Sequence, residues 1–242
     1  MTIGEDFYTS KIVNKPWGFE YVIYNDKKNL AITFLKINKN HKTSLHCHTN
    51  KKTGFIILGG NAEVQYGIYS HNKKIMKPLT RLIFRPGLFH SIKSISKNGL
   101  YLLETESPYE KKDLVRLEDN YGRKSKRYEG KDHTKDLNSK YIKFKKPSLG
   151  KKIIYRFNNL DISIEKTKTL KKLNKNDYHS STAILEGSLL DKRKRHVIST
   201  GEIVKTSTLK ILSKTFRISR PLVLLNVSKS KKNVYKKNNI IS

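Results

Sequence analysis

The sequence predicts a mainly β protein built as a sandwich or barrel. Short apolar and β-branched runs recur at near-regular spacing through the first half. Asn-Asp, Gly-Gly, Pro-Gly and Lys-Asn-Gly clusters separate them, and amphipathic helical periodicity is hard to find before about residue 108. In chain order the expected strands cover 19–24, 31–37, 55–58, 62–66, 81–84, 91–95 and 100–104, and 110–117 reads as a short turn or helix. From about Tyr121 the composition turns polar, with Gly130, Pro147 and Gly150 as breakers, and a second β-rich stretch follows. The expected organisation is a β domain over 1–125, a linker over 126–152, a second β domain over 153–230 and a basic tail over 231–242.

An internal echo relates the two β stretches. Phe55-Ile56-Ile57-Leu58-Gly59-Gly60 is matched by Thr182-Ala183-Ile184-Leu185-Glu186-Gly187, and Leu100-Tyr101-Leu102-Leu103-Glu104 by Pro221-Leu222-Val223-Leu224-Leu225. This reads as two copies of one unit. The second copy has no H-x-H; His179 stands alone near the corresponding place, so it is expected to be degenerate.

The 242 residues include 51 Lys+Arg against 20 Asp+Glu, for a formal charge of +31, and 36% are hydrophobic. That apolar content can build a packed core. No stretch approaches the roughly 18 apolar residues of a membrane span. The start MTIGEDFYTSKIV lacks a basic segment followed by an apolar block, so a soluble cytoplasmic protein without a membrane partner is expected. Cys47 is the single cysteine, which excludes an internal disulfide and a four-cysteine zinc site. The charge suggests nucleic acid, but the lysines are spread evenly from Lys27-Lys28 to Lys236-Lys237 among many Asn and Ile. That pattern favours a solvated lysine surface over a dedicated nucleic-acid face. Small phosphorylated molecules are still attracted.

Three histidines carry the chemistry. His46 and His48 flank Cys47, so on an extended strand both imidazoles face one side. His90 follows the turn Pro86-Gly87-Leu88-Phe89 and starts a later strand that can return to the same interior. Three neutral imidazoles with open positions suit a divalent ion: Zn, Fe, Mn, Co or Ni. Hydrogen-bonded structural histidines are the commoner outcome for an H-x-H pair taken alone.

Lys15-Pro16-Trp17-Gly18-Phe19-Glu20, Ser44-Leu45-His46-Cys47-His48, the run into Gly59-Gly60 and Pro86-Gly87-Leu88-Phe89-His90 together resemble a cupin domain. The resemblance is nearest to the cupin of type II mannose-6-phosphate isomerase, because Lys112 to Arg123 looks like that family's closing segment ending in Asp-x-Tyr-Gly-Arg. It covers about residues 11–125. It implies a double-stranded β-helix barrel, a divalent metal at His46, His48 and His90, and an aldose–ketose isomerase acting on a small phosphorylated sugar, mannose 6-phosphate, in activated-sugar or polysaccharide synthesis. The second β domain is then a degenerate cupin, and pairing of two chains by sheet extension is a fold-level expectation.

The sequence departs from the pattern at four positions. His46 stands where the isomerases have glutamine, Asn50 replaces a histidine, Lys51 replaces an arginine, and Thr53 replaces the glutamate expected as a carboxylate ligand. Glu104, which matches a family glutamate, and Glu20 are the candidate bases. Lys51 and Arg85, with Arg81 and Lys93, are the candidates to hold phosphate. Trp17 reads as a core anchor. The lost glutamate and histidine keep open an alternative, a non-catalytic cupin that binds a sugar or sugar nucleotide.

Overall fold

The computed structural model describes residues 5–27, 29–125, 128–171 and 179–230. The basic tail expected over 231–242 lies outside them. The chain divides into two compact units, Met1–Asn138 and Ser139–Ser242. The boundary falls inside the stretch expected as a linker. Among the described residues, no helix is long and apolar enough to cross a membrane.

The first unit opens with a helical turn, α1 (Glu5–Tyr8), and then β1 (Lys11–Lys15), β2 (Gly18–Asp26), β3 (Leu30–Ile37), β4 (Leu45–Cys47), β5 (Lys52–Gly59) and β6 (Ala62–Tyr66). It continues with β7 (Lys73–Met76), β8 (Arg81–Phe84), β9 (His90–Ser94), β10 (Leu100–Ser107), β11 (Val115–Glu118) and β12 (Thr134–Asp136). They form a seven-stranded sheet in the order β12-β1-β2-β3-β10-β5-β8 and a five-stranded sheet in the order β11-β4-β9-β6-β7. Every pairing is antiparallel. Consecutive strands alternate between the sheets at β4, β5, β6, β8 and β9, which is the winding of a double-stranded β-helix.

Apolar side chains from both sheets meet in one core. The larger sheet supplies Leu35, Ile37, Phe55, Ile57, Phe84, Leu100 and Leu102, the smaller Ala62, Val64, Met76 and Ile92, with Trp17 buried among them as anticipated. β3 is buried at almost every position, as its unbroken apolar run requires. β6 alternates, with Ala62 and Val64 inward and Glu63 and Gln65 outward. The Gly59-Gly60 turn needs its second glycine: φ is +78°, and a Cβ there would lie 2.3 Å from the Gly99 carbonyl oxygen. The segment 110–117, read as a turn or helix, instead leads into a strand, because Val115 and Arg116 pair with Cys47 and His46.

The second unit contains β13 (Lys152–Phe157), β14 (Leu160–Thr167), β15 (Ser181–Glu186), β16 (Ser188–Leu190), β17 (His196–Ser199), β18 (Ile203–Lys205), α2 (Thr206–Thr215), β19 (Arg217–Ile218) and β20 (Leu222–Lys229). Its sheets run β13-β14-β20-β15-β18 and β17-β16-β19. This repeats the order β2-β3-β10-β5-β8 and β7-β6-β9 of the first unit, strand for strand. Leu102 opposes Ile57 and Tyr101 opposes Gly59, leaving Leu58 bulged. Leu224 opposes Ile184 and Val223 opposes Glu186, leaving Leu185 bulged at the same place. The register therefore aligns Leu100 with Leu222, one residue later than the sequence echo suggested. Among the described residues nothing in the second unit corresponds to β4 or β11.

Candidate metal centre

β4 and β9 are short neighbours whose only register pair is His46 opposite His90. Residues opposite each other in an antiparallel pair share a face, so both imidazoles enter the barrel, and His48 two residues on follows the same side. The ring centroids are 4.6 Å apart for His46 and His90, 5.1 Å for His46 and His48, and 5.5 Å for His48 and His90. One ligand atom from each ring lies within 4.8 Å of the others. Phe84 stacks on His90 at 4.2 Å and fixes its plane.

The second nitrogen of each ring is tied to main chain. Nδ1 of His46 lies 2.8 Å from the Ser44 carbonyl, Nδ1 of His48 2.6 Å from that of Asp113, and Nδ1 of His90 3.0 Å from that of Leu88. A carbonyl oxygen can only accept, so each Nδ1 carries the hydrogen and each Nε2 presents a lone pair. Nε2 of His48 and of His90 is buried without a hydrogen-bond partner. Burial lowers all three pKa values: His46 well below its usual range with help from the two neighbouring imidazoles, His48 to about 3 with help from Lys51, and His90 to about 4. The rings are therefore neutral near pH 7. Three neutral imidazoles with oriented Nδ1–H groups and bare, converging Nε2 atoms match the donor set of a transition-metal site, and the cluster could hold a metal ion.

The cavity beside the histidines measures about 70 Å³ and is lined by Lys51, Glu104, Glu106, Lys111, Arg116 and Arg123 among others. Glu106 is the charged centre. Lys51 donates to it at 2.6 Å, Lys111 at 2.8 Å and the Thr33 hydroxyl at 2.9 Å. Burial opposes its ionisation, but the Lys111 and Lys51 ammoniums hold the carboxyl well below the usual range. Glu104 points to the same interior two residues earlier on β10. It has no hydrogen bond or ion pair among the described residues, and burial with the neighbouring Glu106 charge pushes its pKa up to about 8. Glu20 is engaged: the Tyr128 hydroxyl donates to it, and Lys15 and Lys111 lie 3.6 Å away.

The sequence-predicted residues thus divide. His46, His48, His90, Glu104, Glu20 and Lys51 line one cavity. Arg85 is exposed in the turn after β8 and does not line it. Lys51 does line it, but its ammonium is committed to Glu106 and to the Glu110 carbonyl at 3.2 Å. Thr53 is fully buried with its hydroxyl unpartnered, and Asn50 is exposed.

Several contributors were not singled out from sequence. The Asp113 carboxylate accepts from the backbone N–H of Thr49, Asn50 and Lys51, which fixes the loop after His48. Those hydrogen bonds hold its pKa at about 2 against the opposing effect of burial. Asp119 accepts from the backbone of Tyr121 and Arg123 and pairs with the Arg123 guanidinium at 2.6 Å, and Arg123 reaches Glu129 at 2.6 Å. The Asp-x-Tyr-Gly-Arg run was the available signal for this turn. Lys111, Arg116 and Tyr128 gave none: strand pairing brings Arg116 to the cavity, and Lys111 and Tyr128 reach it from loops.

A two-sheet antiparallel barrel of this winding, with three histidines converging in its interior, is a cupin. Residues 4–119 match the family model described as Mannose-6-phosphate isomerase C-terminal, and this part of the chain has a cupin fold similar to that family's. No curated protein matches the sequence. Similar solved structures include the cupin domain of Cnp3 from Schizosaccharomyces pombe, at 20% identity over 38% of this chain and 64% of that one, TM-score 0.35. Another is KdgF from Halomonas sp., at 14% identity over 40% and 84%, TM-score 0.36. A Klebsiella pneumoniae protein with a double-stranded β-helix domain is 14% identical over 44% and 89%, TM-score 0.34. The chain spans less than two thirds of the fission-yeast domain.

Proposed function

We propose that the first unit is a metal-dependent sugar-phosphate isomerase of the mannose-6-phosphate isomerase type, serving activated-sugar or polysaccharide synthesis. One observation carries this reading: the unpartnered Glu104 carboxyl shares a cavity with three histidines whose Nε2 lone pairs converge. A carboxyl with no hydrogen-bond or ion-pair partner among the described residues, held beside a charged carboxylate, is costly, and a module that only binds a neutral sugar has no use for one.

A divalent ion held by Nε2 of His46, His48 and His90 would supply Lewis-acid polarisation of the substrate's carbonyl or adjacent hydroxyl. The chain's own residues supply the rest. Glu104, with a pKa near the working pH, is suited to take a proton from one carbon of an open-chain sugar and return it to the next. Glu106, kept ionised by Lys51 and Lys111, raises the Glu104 pKa and so makes Glu104 the stronger base of the two. Arg116, opposite His46 on the neighbouring strand, adds positive charge at the cavity wall, which favours a phosphate ester.

The second reading, a non-catalytic cupin binding a sugar or sugar nucleotide, is favoured by Thr53 standing at the position of the carboxylate ligand. A coupled assay converting mannose 6-phosphate to fructose 6-phosphate with Co, Mn or Zn separates the two. Turnover that disappears in Glu104→Gln supports the isomerase; a metal-loaded protein that binds the sugar phosphate without turnover leaves the binding module.

A further inference from the structure

The outer face of the smaller sheet holds a feature that the barrel interior does not explain. Lys42, on the segment before β4, forms an isolated bridge with Lys93 on β9, so two ammonium-bearing side chains stand side by side across strands. Like charges directly opposite each other destabilise a sheet. Both lysines are only partly exposed, and neither amino group has a hydrogen-bond or ion-pair partner among the described residues. Lys73, on the edge strand, brings a third ammonium, balanced by Glu63 at 3.1 Å.

These lysines line a preformed hollow of about 250 Å³ whose exposed lining is mostly polar. Its floor includes Ser91, which is 5% exposed, and its sides include Gln65 and Asn120. Tyr121 forms one wall, with its hydroxyl accepting the Lys42 backbone N–H at 3.4 Å and its ring stacked on His41. Glu63 is the one carboxylate in the lining, so the hollow carries a net excess of two positive charges. Glu63 stands opposite Lys93 across β6 and β9 but bridges Lys73, so two ammoniums without an ion-pair partner among the described residues, over a buried hydroxyl and flanked by side-chain amides, match a compact oxyanion attached to a hydroxyl-bearing ring.

We propose that this hollow is a second ligand site, separate from the histidine cavity, which binds the phosphate of a small phosphorylated sugar between Lys42 and Lys93. It does not rest on the isomerase reading. Bound phosphate would neutralise the lysine pair, while Gln65, Asn120 and Ser91 offer hydrogen bonds to sugar hydroxyls.

The test uses the full chain and three probes, inorganic phosphate, mannose 6-phosphate and mannose, with binding followed by calorimetry at fixed salt. The two phosphates should bind saturably and mannose should not. Lys42→Gln with Lys93→Gln should weaken them by about tenfold or more, while the charge-matched pair Lys151→Gln with Lys152→Gln, on exposed residues of the second unit, should leave binding unchanged. Phosphate should raise the melting temperature of the wild type but not of the Lys42/Lys93 variant, whose ligand-free melting temperature should equal or exceed that of the wild type. Absence of saturable phosphate binding, or equal weakening by both lysine pairs, overturns the proposal. Phosphate binding that survives the Lys42/Lys93 change but disappears with His48→Ala and His90→Ala also overturns it, and leaves the isomerase reading standing.

Discussion

Four matching positions in the two units show what happens to one barrel wall when its chemistry changes. In the first unit Thr53, Phe55, Phe84 and Glu104 occupy them: the aromatic rings pack against His90, and Glu104 lines the cavity. The strand registers place Ser180, Thr182, Thr206 and Asn226 at the same four positions of the second unit. There the side chains bond to one another, with the Thr206 hydroxyl meeting Thr182 at 2.8 Å and the Asn226 amide donating to Thr182 and Thr206 at 3.0 and 2.9 Å. The first wall leaves polar atoms bare inside the barrel; the second satisfies them. A neutral, closed hydrogen-bond cluster stabilises a fold, whereas bare Nε2 atoms and a lone carboxyl cost stability and are retained where chemistry uses them.

The sharpest test of the contrast is to remove the lone carboxyl. Glu104→Gln should lower isomerase turnover by about 10²–10⁴-fold with metal content unchanged, whereas His48→Ala or His90→Ala should abolish metal binding itself, read by elemental analysis. Full turnover in Glu104→Gln would show that the carboxyl on the first wall is not the base.

Next in size is the charge beneath it. Glu106→Gln strands the Lys51 and Lys111 ammoniums and should destabilise the first unit by about 3–5 kcal/mol, measured by urea unfolding. Trp17 is the single tryptophan and sits in the first unit's core, so its fluorescence reports that unit alone.

Acid should also separate the units. Burial would raise the Glu129 pKa, but Lys15 and Arg123 hold it at about 2 against 4.5 for a free side chain. Its folded value is the lower one, so the stabilisation is complete above pH 4.5 and lost as the pH falls through 2. It amounts to about 3 kcal/mol. In the second unit the hydroxyl–amide cluster has no titrating member and Glu186, paired with the half-exposed Lys146, is the carboxylate held low, so with the larger shift at Glu129 Trp17 fluorescence should change at a higher pH than a probe placed in the second unit. Simultaneous transitions would contradict this. The smallest effect is expected from Thr206→Val, which removes the shared hydroxyl and should cost about 1–3 kcal/mol without changing metal content.

The legible part of the protein was the part set by local pattern. Alternation around Cys47 put His46 and His48 on one face, and the turn before His90 began the strand that faces them. Gly60 and Gly187 marked equivalent turns because both need positive φ. What could not be read depends on partners distant in sequence. Glu104 is uncommitted and Glu20 is not because Tyr128 and Lys111 arrive from segments far along the chain to meet it. Arg85 sits beside a motif histidine in sequence yet outside the cavity, while Arg116 enters it through a pairing with His46. The second echo is one residue out because Leu100–Leu103 and Leu222–Leu225 are continuous apolar runs that align equally well in adjacent frames, and only the strand register chooses between them. Helix α2 was missed because no side-chain cap opens it and only Thr206 and Leu209 are buried along its length.

The pairing of β1 with β12 bears on how the first unit can be isolated. Lys11, Ile12 and Val13 bond to residues 134–136, and just before them Glu129 accepts both the Tyr8 hydroxyl, through its carbonyl, and the Lys15 ammonium. A fragment ending at residue 125 would bare the β1 edge to self-association and leave Lys15 without that counter-ion. One ending at Asn138 keeps both, and is the piece to express for crystallisation or spectroscopy.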